Sequence, residues 1–426
     1  MALSLSSVAF TVQRFEPELV NPTKPTPHEF KQLSDLDDQE SFRFQIGVIQ
    51  FYRSLVFYYP FAGRLREGPG RKLILECTGE GVIFIEADAD VSLEQFGDAL
   101  YPRIPCMDKL LYDVPGSGEI LHCPLLLIQV TRLRCGGFIF ALRQNHTICD
   151  AIGIVQFMSA MAEMARGYCT PSIPQNPPRV TCTHHQFDEL PDTDDYPLQN
   201  MVPCSFFLDS TKVNSIHKHV PGHLNHCSTF DILTACIWRC STIALKPDLD
   251  SQVRVIFPVN VRVKLSPALP TGYYGNAVVF AVAITMARKL CENPLGYAIE
   301  LVKTAKANVA MEYVRSYTDL VVIKGKLDVH RVRCYLPTDV TRVGFEEVDF
   351  GWGKAVYGGP ANLWNGPNPK LASSYTSFSD GKGKNGIVVS ILLPKVTHEI
   401  FMKELKGTLK GHAIGDLSTT PIKSSM

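Results

Sequence analysis

The sequence lacks several features that would place it among secreted, metal-binding or nucleic-acid-binding proteins. Its 42 basic and 42 acidic residues cancel, so no net charge attracts nucleic acid or an anionic membrane surface. No Cys-x-x-Cys pair occurs among the 13 cysteines, which disfavours a zinc or redox motif. No apolar run reaches the roughly 18 residues that span a bilayer, and the N-terminus lacks the basic segment of a signal peptide. We therefore expect a cytoplasmic protein, in a compartment where free thiols persist.

The length and composition indicate two domains. A chain of 426 residues, 45 % of them hydrophobic, is too long for one core and apolar enough to fill two. Prolines and aspartates interrupt every periodicity between residues 170 and 200, a composition typical of a linker. We predict an N-terminal domain over 1–175, a crossover linker over 176–204 and a C-terminal domain over 205–426.

Strand and helix patterns alternate irregularly in both halves. Apolar segments at 72–77 and 81–86 predict a hairpin across the turn residues between them. Helical spacing predicts one helix over 150–165 and a long one over 297–314. This irregular order favours an α/β (α+β) fold with mixed sheets over a doubly wound parallel sheet.

One candidate catalytic motif occupies residues 145–150, Asn-His-Thr-Ile-Cys-Asp. It lies where an apolar strand pattern ends and a helix pattern begins, a junction from which functional side chains often project. The pKa of histidine suits proton transfer near neutral pH, so His146 is a candidate general base. In a helical turn Asp150 would share a face with His146. Asp150 could orient the imidazole or hold the loop by an ion pair; the alternative is a capped helix start with an incidental histidine.

A second motif is Asp349-Phe350-Gly351-Trp352-Gly353. Glycines at alternate positions permit tight backbone geometry and close approach of another segment. Trp352 offers a large surface and one N–H donor. Taken alone, the segment is interpreted as a bend at a strand end with a core tryptophan.

Together the two motifs resemble the paired signature of the plant BAHD acyl-CoA-dependent acyltransferases. The pair is specific because His-x-x-x-Asp and Asp-Phe-Gly-Trp-Gly occur in this order and in opposite halves of a chain of this size. The resemblance covers nearly the whole chain. Further family-like segments are 59–65, 227–231 and 272–276. Within the family, the sequence is most similar to the benzyl alcohol O-benzoyltransferase group.

The resemblance implies two chloramphenicol-acetyltransferase-like domains with a solvent tunnel between them. His146 would be the general base in the tunnel. Asp150 would be structural and would bind Arg262, in the segment Val259-Asn260-Val261-Arg262. Residues 349–353 would shape the second domain near the CoA entrance, away from the reacting atoms, with Asp349 structural as well.

The reaction that the resemblance implies is the esterification of a small, aromatic alcohol, for example benzyl benzoate from benzoyl-CoA and benzyl alcohol. Acyl-CoA would be a co-substrate, with no permanently bound cofactor. No metal and no covalent enzyme nucleophile would be needed, because the thioester is already activated. A hydroxyl such as that of Thr147, or a backbone N–H, would stabilise the oxyanion. A monomer without nucleic-acid or membrane partners fits the family.

Three other interpretations of single residues stay open at this point. Cys149 lies near His146 and could be a nucleophile, although a small buried residue is the simpler interpretation. Lys324 and Lys326 could contact a CoA phosphate, or could lie in a solvated loop. A local histidine cluster could bind metal, although its spacing matches no standard zinc motif. Its members are His217, His219, His223 and His226.

Two stretches look short beside the family pattern. After Arg53 the chain continues directly into Ser54-Leu55-Val56, where family members have a loop and an amphipathic helix. After Pro174 the chain lacks a stretch containing Trp and Arg that is expected in the crossover. These departures motivate a second hypothesis, a catalytically impaired relative that binds CoA or a partner without turnover.

Overall fold

A computed structural model describes most of the chain. The described residues are 9–22, 26–50, 59–96, 104, 106–114, 120–173, 200–218, 220–324, 333–361, 371–379 and 384–410. The N-terminal half contains the strands β1 (Val12–Arg14), β2 (Glu18–Val20), β3 (Phe30–Gln32), β4 (Gln45–Gln50), β5 (Arg64–Glu67), β6 (Leu73–Glu76), β7 (Val82–Ala89), β8 (Leu126–Leu133) and β9 (Phe138–Asn145). Its helices are α1 (Leu93–Phe96), α2 (Met107–Leu110) and α3 (Ala151–Ala165).

The C-terminal half supplies the remaining elements, apart from short 3₁₀ turns. Its strands are β10 (Met201–Asp209), β11 (Gln252–Asn260), β12 (Val278–Met286), β13 (Cys334–Asp339), β14 (Gly358–Pro360), β15 (Leu371–Ser379) and β16 (Asn385–Pro394). Its helices are α4 (Ser210–His217), α5 (Thr229–Leu245), α6 (Ala287–Glu292), α7 (Leu295–Ala307), α8 (Met311–Lys324) and α9 (His398–Lys410).

The first large sheet has the order β1-β7-β8-β9-β4-β14, and β2 also pairs with β7. The pair β7–β8 is parallel, whereas β8–β9 and β9–β4 are antiparallel. Helix α3 packs on one face of this sheet, where Phe157 and Met161 share a buried cluster with Phe140. The methionine-rich side of α3 is therefore core, which agrees with its 3.6-residue spacing.

The second large sheet has the order β10-β16-β15-β13-β11-β12, with parallel pairs β11–β13 and β13–β15. Helix α5 packs against this sheet: Trp238 of the helix is 1 % exposed and shares a buried cluster with Val255 and Val389 of the strands. The start of α5 is fixed by a capping box: Ser228 accepts from the backbone of Asp231, whose carboxylate accepts from the Ser228 N–H. Both sheets are mixed and covered by helices, which confirms the α/β fold class.

The two halves of the chain interpenetrate. Strand β14 pairs with β4 in the first sheet, and Val348 and Phe350 belong to the buried cluster that contains Phe140. Part of the range 205–426 therefore completes the core of the N-terminal half. Of the segment 176–204, the structure describes only 200–204, and β10 already begins at Met201.

The hairpin expected from 72–77 and 81–86 is wrong. Both segments are strands, but β6 pairs with β3 and β5 in a separate three-stranded sheet. Strand β7 pairs with β1, β2 and β8 in the first large sheet. Alternating hydrophobicity specifies a strand but not its partner. The chain turns from one sheet to the other at Gly79 and Gly81, which both have positive φ.

The long helix expected over 297–314 is two helices. Helix α7 ends at Ala307 with Asn308 as its C-cap, and α8 begins at Met311. Val309, between them, is 2 % exposed, so burial of this side chain accompanies the break. No helix among the described residues is long and apolar enough to cross a membrane.

Candidate active site

His146 follows directly on the end of β9, and its backbone continues the ladder with the neighbouring strand. Its N–H donates to the carbonyl oxygen of Phe44 at 2.9 Å. The imidazole stacks on Phe42, with ring centroids 4.5 Å apart and an interplanar angle of 6°. The ring of Phe44 lies at 5.3 Å. The end of a rigid strand and two aromatic rings thus fix the position of the imidazole.

The environment of His146 suits a base. Nδ1 is buried and has no hydrogen-bond partner among the described residues, which leaves Nε2 as the candidate atom for proton transfer. Burial lowers the pKa of His146 below its usual 6.5, against smaller opposing effects of its own backbone, the Asp150 charge and the Asn276 side chain. A lowered pKa leaves the imidazole neutral at pH 7, the form that accepts a proton.

Asp150 is the N-cap of α3, and its carboxylate is fully used by structural contacts. Oδ1 accepts from the backbone N–H groups of Ile152 and Gly153, each at 3.1 Å. Arg262 donates to both carboxylate oxygens, with N···O distances of 2.8 Å. The backbone N–H of Ala277 adds a further contact at 3.1 Å. No hydrogen bond joins Asp150 to His146 among the described residues, and the arrangement suits a scaffold rather than a catalytic partner.

Residues 272–277, which we call the crossing segment, belong to the C-terminal half and contact the His146 loop and the start of α3. Arg262 donates to the Gly275 carbonyl at 2.8 Å, and Gln156 donates to that of Gly272 at 2.9 Å. The crossing segment comes so close to α3 that a Cβ on Gly153 would overlap the carbonyl oxygen of Tyr274. Sequence patterns had marked 272–276 only as family-like, with no role assigned.

Asp37 and Asn276 are site residues that sequence reasoning missed. The N–H and Nδ2 of Asn276 donate to Asp37 Oδ1 at 2.6 and 3.1 Å. The same Nδ2 donates to the carbonyl oxygen of His146 at 2.9 Å. Asp37 lies in the acidic stretch Ser34-Asp35-Leu36-Asp37-Asp38, a composition typical of a solvated loop. Asp37 is only 7 % exposed, and no local feature of the sequence indicated this burial.

The second motif forms a tight turn against the N-terminal half. Asp349 Oδ1 accepts from the N–H groups of Gly351 and Gly353 at 2.7 and 3.0 Å. Both glycines have φ of 100° or more, a conformation that glycine adopts without strain. Phe350 is buried, with its ring 5.7 Å from that of Phe140, so the motif packs on the first core rather than shaping only the second domain. Trp352 is 57 % exposed, and the expectation of a core tryptophan is wrong.

The alternative roles for residues beside His146 find no support in the geometry. The Cys149 thiol is fully buried and donates to Gln144 at 3.0 Å, and burial raises its pKa well above the usual range. It therefore stays a thiol, the unreactive form. The hydroxyl of Thr147 donates to Asn145 Oδ1 at 2.8 Å, so it is turned back into its own loop rather than offered to an oxyanion.

The other candidate ligands are dispersed or lie partly outside the described residues. His223 contacts Glu300 at 2.7 Å, whereas His219 is outside the described part of the chain, as are Lys326 and the short stretches near Arg53 and Pro174. The described residues contain no cluster of three or more His, Cys, Asp or Glu side chains that could hold a metal ion.

Comparisons with known proteins identify the family of the chain. The model of the Transferase family matches residues 53–407. Benzyl alcohol O-benzoyltransferase of Petunia hybrida is 58 % identical over 96 % of both chains, and that of Nicotiana tabacum is 56 % identical over 98 % of both. The tobacco alignment has 449 positions, more than the 426 residues of this chain, so the relative carries residues without a counterpart here.

Solved structures of low sequence identity share the fold. Vinorine synthase superposes with a TM-score of 0.70 at 20 % identity, covering 93 % of this chain and 98 % of its own. F. graminearum TRI101, complexed with coenzyme A and T-2 mycotoxin, has a TM-score of 0.69 at 13 % identity, covering 87 % and 96 %. Family match, curated relatives and fold agree, and the chain belongs to the Transferase family, the BAHD acyltransferases that its two motifs indicated.

Proposed function

We propose that this protein is an acyl-CoA-dependent O-acyltransferase that esterifies a small alcohol, with His146 as general base. The observation that carries the proposal is the placement of His146: the end of β9 and the rings of Phe42 and Phe44 fix its imidazole, and burial lowers its pKa, which favours the neutral form. A hydroxyl group bound at Nε2 would meet a neutral imidazole, the form that accepts a proton.

The proposed reaction requires two proton transfers, one from the alcohol to His146 and one from His146 to the CoA thiolate. Nε2 of His146 takes the proton of the alcohol as the alcohol oxygen forms a bond to the thioester carbonyl carbon. The tetrahedral intermediate collapses with cleavage of the C–S bond, and the imidazolium returns its proton to the departing CoA thiolate. Binding and orientation of the two substrates supply the rest of the acceleration.

For the substrates we propose benzoyl-CoA and benzyl alcohol. Two relatives at 56–58 % identity are named benzyl alcohol O-benzoyltransferase. More distant relatives from Malus domestica and Actinidia, at 45–46 % identity, are named alcohol acyltransferases, which favours other small alcohols and acyl groups as secondary substrates. An apolar pocket separates substrates that differ by one methylene by only about 10- to 200-fold, so a panel of neighbouring alcohols belongs in the test.

For acyl-CoA we propose a path through a cavity of about 510 Å³ at the N-terminus of α5. Its size suits a small-molecule ligand. Arg342 brings positive charge, Lys306 lines the cavity while paired with Asp231, and backbone N–H groups at the start of a helix favour a phosphate. Asn260 lies in the cavity wall, two residues before the Arg262 that binds Asp150. Other lining residues are Ser228, Phe230 and Tyr375.

We also propose that the protein acts as a cytoplasmic monomer. The described cysteines are all free thiols, and several of them are buried. Free thiols in this number fit a reducing compartment. Sedimentation of the purified protein measures its mass directly.

A screen of acyl-CoA donors against alcohols tests the proposal. The purified protein is incubated with benzoyl-CoA or acetyl-CoA and a panel that includes benzyl alcohol, and esters are measured by mass spectrometry. We expect benzyl benzoate to accumulate with release of one CoA per ester. A folded protein that forms no ester with any pair, yet binds CoA in a thermal-shift titration, would instead be the impaired relative and would contradict the proposal.

A further inference from the structure

No hydrogen bond among the described residues joins Asp37 to the imidazole of His146, yet Asn276 binds both residues. We infer that Asp37 is a positioning residue, which through Asn276 holds the main chain of His146 in place for proton transfer. The inference rests on the proposed function, because it takes His146 as the general base.

The first link is the pair Asp37–Asn276, which joins the two halves of the chain. One oxygen of Asp37 accepts from both the backbone N–H and the side-chain amide of Asn276, at 2.6 and 3.1 Å. The other oxygen accepts from the Ser34 hydroxyl at 2.5 Å. Because a carboxylate only accepts, it fixes which end of the Asn276 amide carries the nitrogen.

The second link runs from Asn276 to His146. Nδ2 of Asn276, already held by Asp37, donates to the His146 carbonyl oxygen at 2.9 Å. The His146 N–H is bound by Phe44 at 2.9 Å. Both backbone groups of His146 are therefore held, one by the sheet of the N-terminal half and the other by the crossing segment. Removal of Asp37 would free the amide of Asn276 to rotate and would release one of these two contacts.

A comparison of the contacts of Asp37 with those of Asp150 supports this role. Successive backbone N–H groups of the crossing segment donate to the two carboxylates, that of Asn276 to Asp37 and that of Ala277 to Asp150. Asp150 is neutralised by Arg262, whereas the described contacts of Asp37 come only from neutral donors. Burial raises the pKa of Asp37 to about 6. A carboxyl group without a cation is costly to bury. The hydrogen bonds from Asn276 to Asp37 give a reason why a carboxyl group is nevertheless buried at this position.

Asp38 offers a matched control one residue further on. Its side chain is 6 % exposed and pairs with Arg43 at 2.7 Å, and it also accepts from the N–H of Leu73 at 2.7 Å. Asp38 is thus a buried carboxylate of the same loop with strong contacts, and among the described contacts none is a hydrogen bond to Asn276. Its partner Arg43 lies between Phe42 and Phe44, which contact His146.

The experiment measures kcat and KM of the full-length protein with benzoyl-CoA and benzyl alcohol. The variants are Asp37→Ala, Asp37→Asn, Asn276→Ala, the double variant Asp37→Ala/Asn276→Ala, and Asp38→Ala. We expect Asp37→Ala to lower kcat by about 10- to 100-fold, since small displacements of a catalytic group cost this much, with KM within about threefold. Asp37→Asn keeps an acceptor oxygen and should restore most of kcat. The double variant should be no slower than Asn276→Ala, because the two act as one unit. Asp38→Ala, which leaves the Asp37–Asn276–His146 contacts in place, should lower the melting temperature and reduce kcat by less than Asp37→Ala does.

Each other outcome has a definite meaning. Wild-type kcat in a folded Asp37→Ala variant overturns the inference, as do additive losses in the double variant. If Asp37→Ala does not fold, Asn276→Ala decides, and an unchanged kcat overturns the inference. No ester from the wild type with any substrate pair overturns the proposed function and this inference with it, whereas an active wild type with unaffected variants overturns the inference alone.

Discussion

Arg262 and Asp150 form a bidentate ion pair between the two halves of the chain, with both N···O distances 2.8 Å. The Asp150 side chain is 7 % exposed and that of Arg262 is 13 % exposed. A buried pair of this kind adds little net stability over an apolar pair, but loss of one partner leaves a buried charge uncompensated. The pair lies beside the His146 loop, so its integrity controls how the loop is held.

The first prediction concerns this ion pair. Arg262→Ala should lower the free energy of unfolding by about 3–5 kcal/mol, the cost of leaving Asp150 buried without its cation. Urea unfolding at pH 7 measures the change. Arg288→Ala is the control, because Arg288 and Asp250 form a surface pair with both side chains at least 47 % exposed. A surface pair contributes at most about 1 kcal/mol, and equal losses in the two variants would contradict the interpretation.

The second prediction concerns the close contact of α3 with the crossing segment. Gly153→Ala places a Cβ on the Tyr274 carbonyl oxygen, so the crossing segment must move and both stability and kcat should fall. Gly407→Ala, also within a helix, has open space at its Cβ. It should raise the free energy of unfolding by up to about 1 kcal/mol, because alanine is the better helix former. Thermal unfolding and ester formation, measured on both, test the contrast; a harmless Gly153→Ala would show that the contact is loose.

The third prediction is a pH dependence of stability that depends on Asp37. Its pKa is about 6 in the folded protein, raised by burial from the usual 3.8, so the folded state binds the proton more tightly than the unfolded chain. Its contribution to stability is therefore full below pH 3.8 and lost as pH rises through 6. The shift corresponds to about 3 kcal/mol.

Urea unfolding of the wild type and Asp37→Asn between pH 4 and 8 isolates this contribution. The groups that interact with Asp37 include Ser34, Asn276, Tyr273, Asp150 and Cys149, and they are the same in the wild type and in Asp37→Asn. We expect the stability difference between the wild type and the variant to change in favour of the wild type as pH falls. Parallel pH profiles would show that Asp37 does not titrate in this way.

The fourth prediction concerns the turn of the second motif. Gly351 has φ of 105°, where an L-residue is strained by about 1–2 kcal/mol, and a Cβ there would press on the Arg166 side chain. Gly351→Ala should therefore lower the melting temperature, while KM for the alcohol stays unchanged because the turn is structural. Gly222→Ala, with open space and no positive φ, should have little effect. A changed KM without lost stability would assign the turn to substrate binding instead.

Local patterns predicted the parts of the fold that depend on local chemistry. Two apolar runs on either side of Gly136, which has φ of 80°, form the antiparallel pair β8–β9, so neighbouring runs joined by a glycine turn do pair here. Helix α3 begins after Asp150, which caps it, as the change of period at this residue indicated. The sequence also placed His146 at a strand–helix junction, where the structure has it.

Contacts between distant segments could not be read in the same way. Strand β7 looked like the partner of β6 because the two are adjacent, yet pairing is decided by which faces can be buried together. Asp37 looked solvated because nothing near it in sequence reveals Asn276, 239 residues further on. The packing of Phe350 on Phe140 likewise joins segments that no local period relates.

The most direct test of the account is the turnover of His146→Ala in the presence of benzoyl-CoA and benzyl alcohol. Loss of a general base costs about 10²- to 10⁴-fold, so we predict that kcat falls by this factor while the melting temperature changes little. His223→Ala, which removes an exposed histidine paired with Glu300, is the matched control and should turn over like the wild type. A folded His146→Ala enzyme that keeps most of the wild-type kcat would contradict the assignment of His146 as the base.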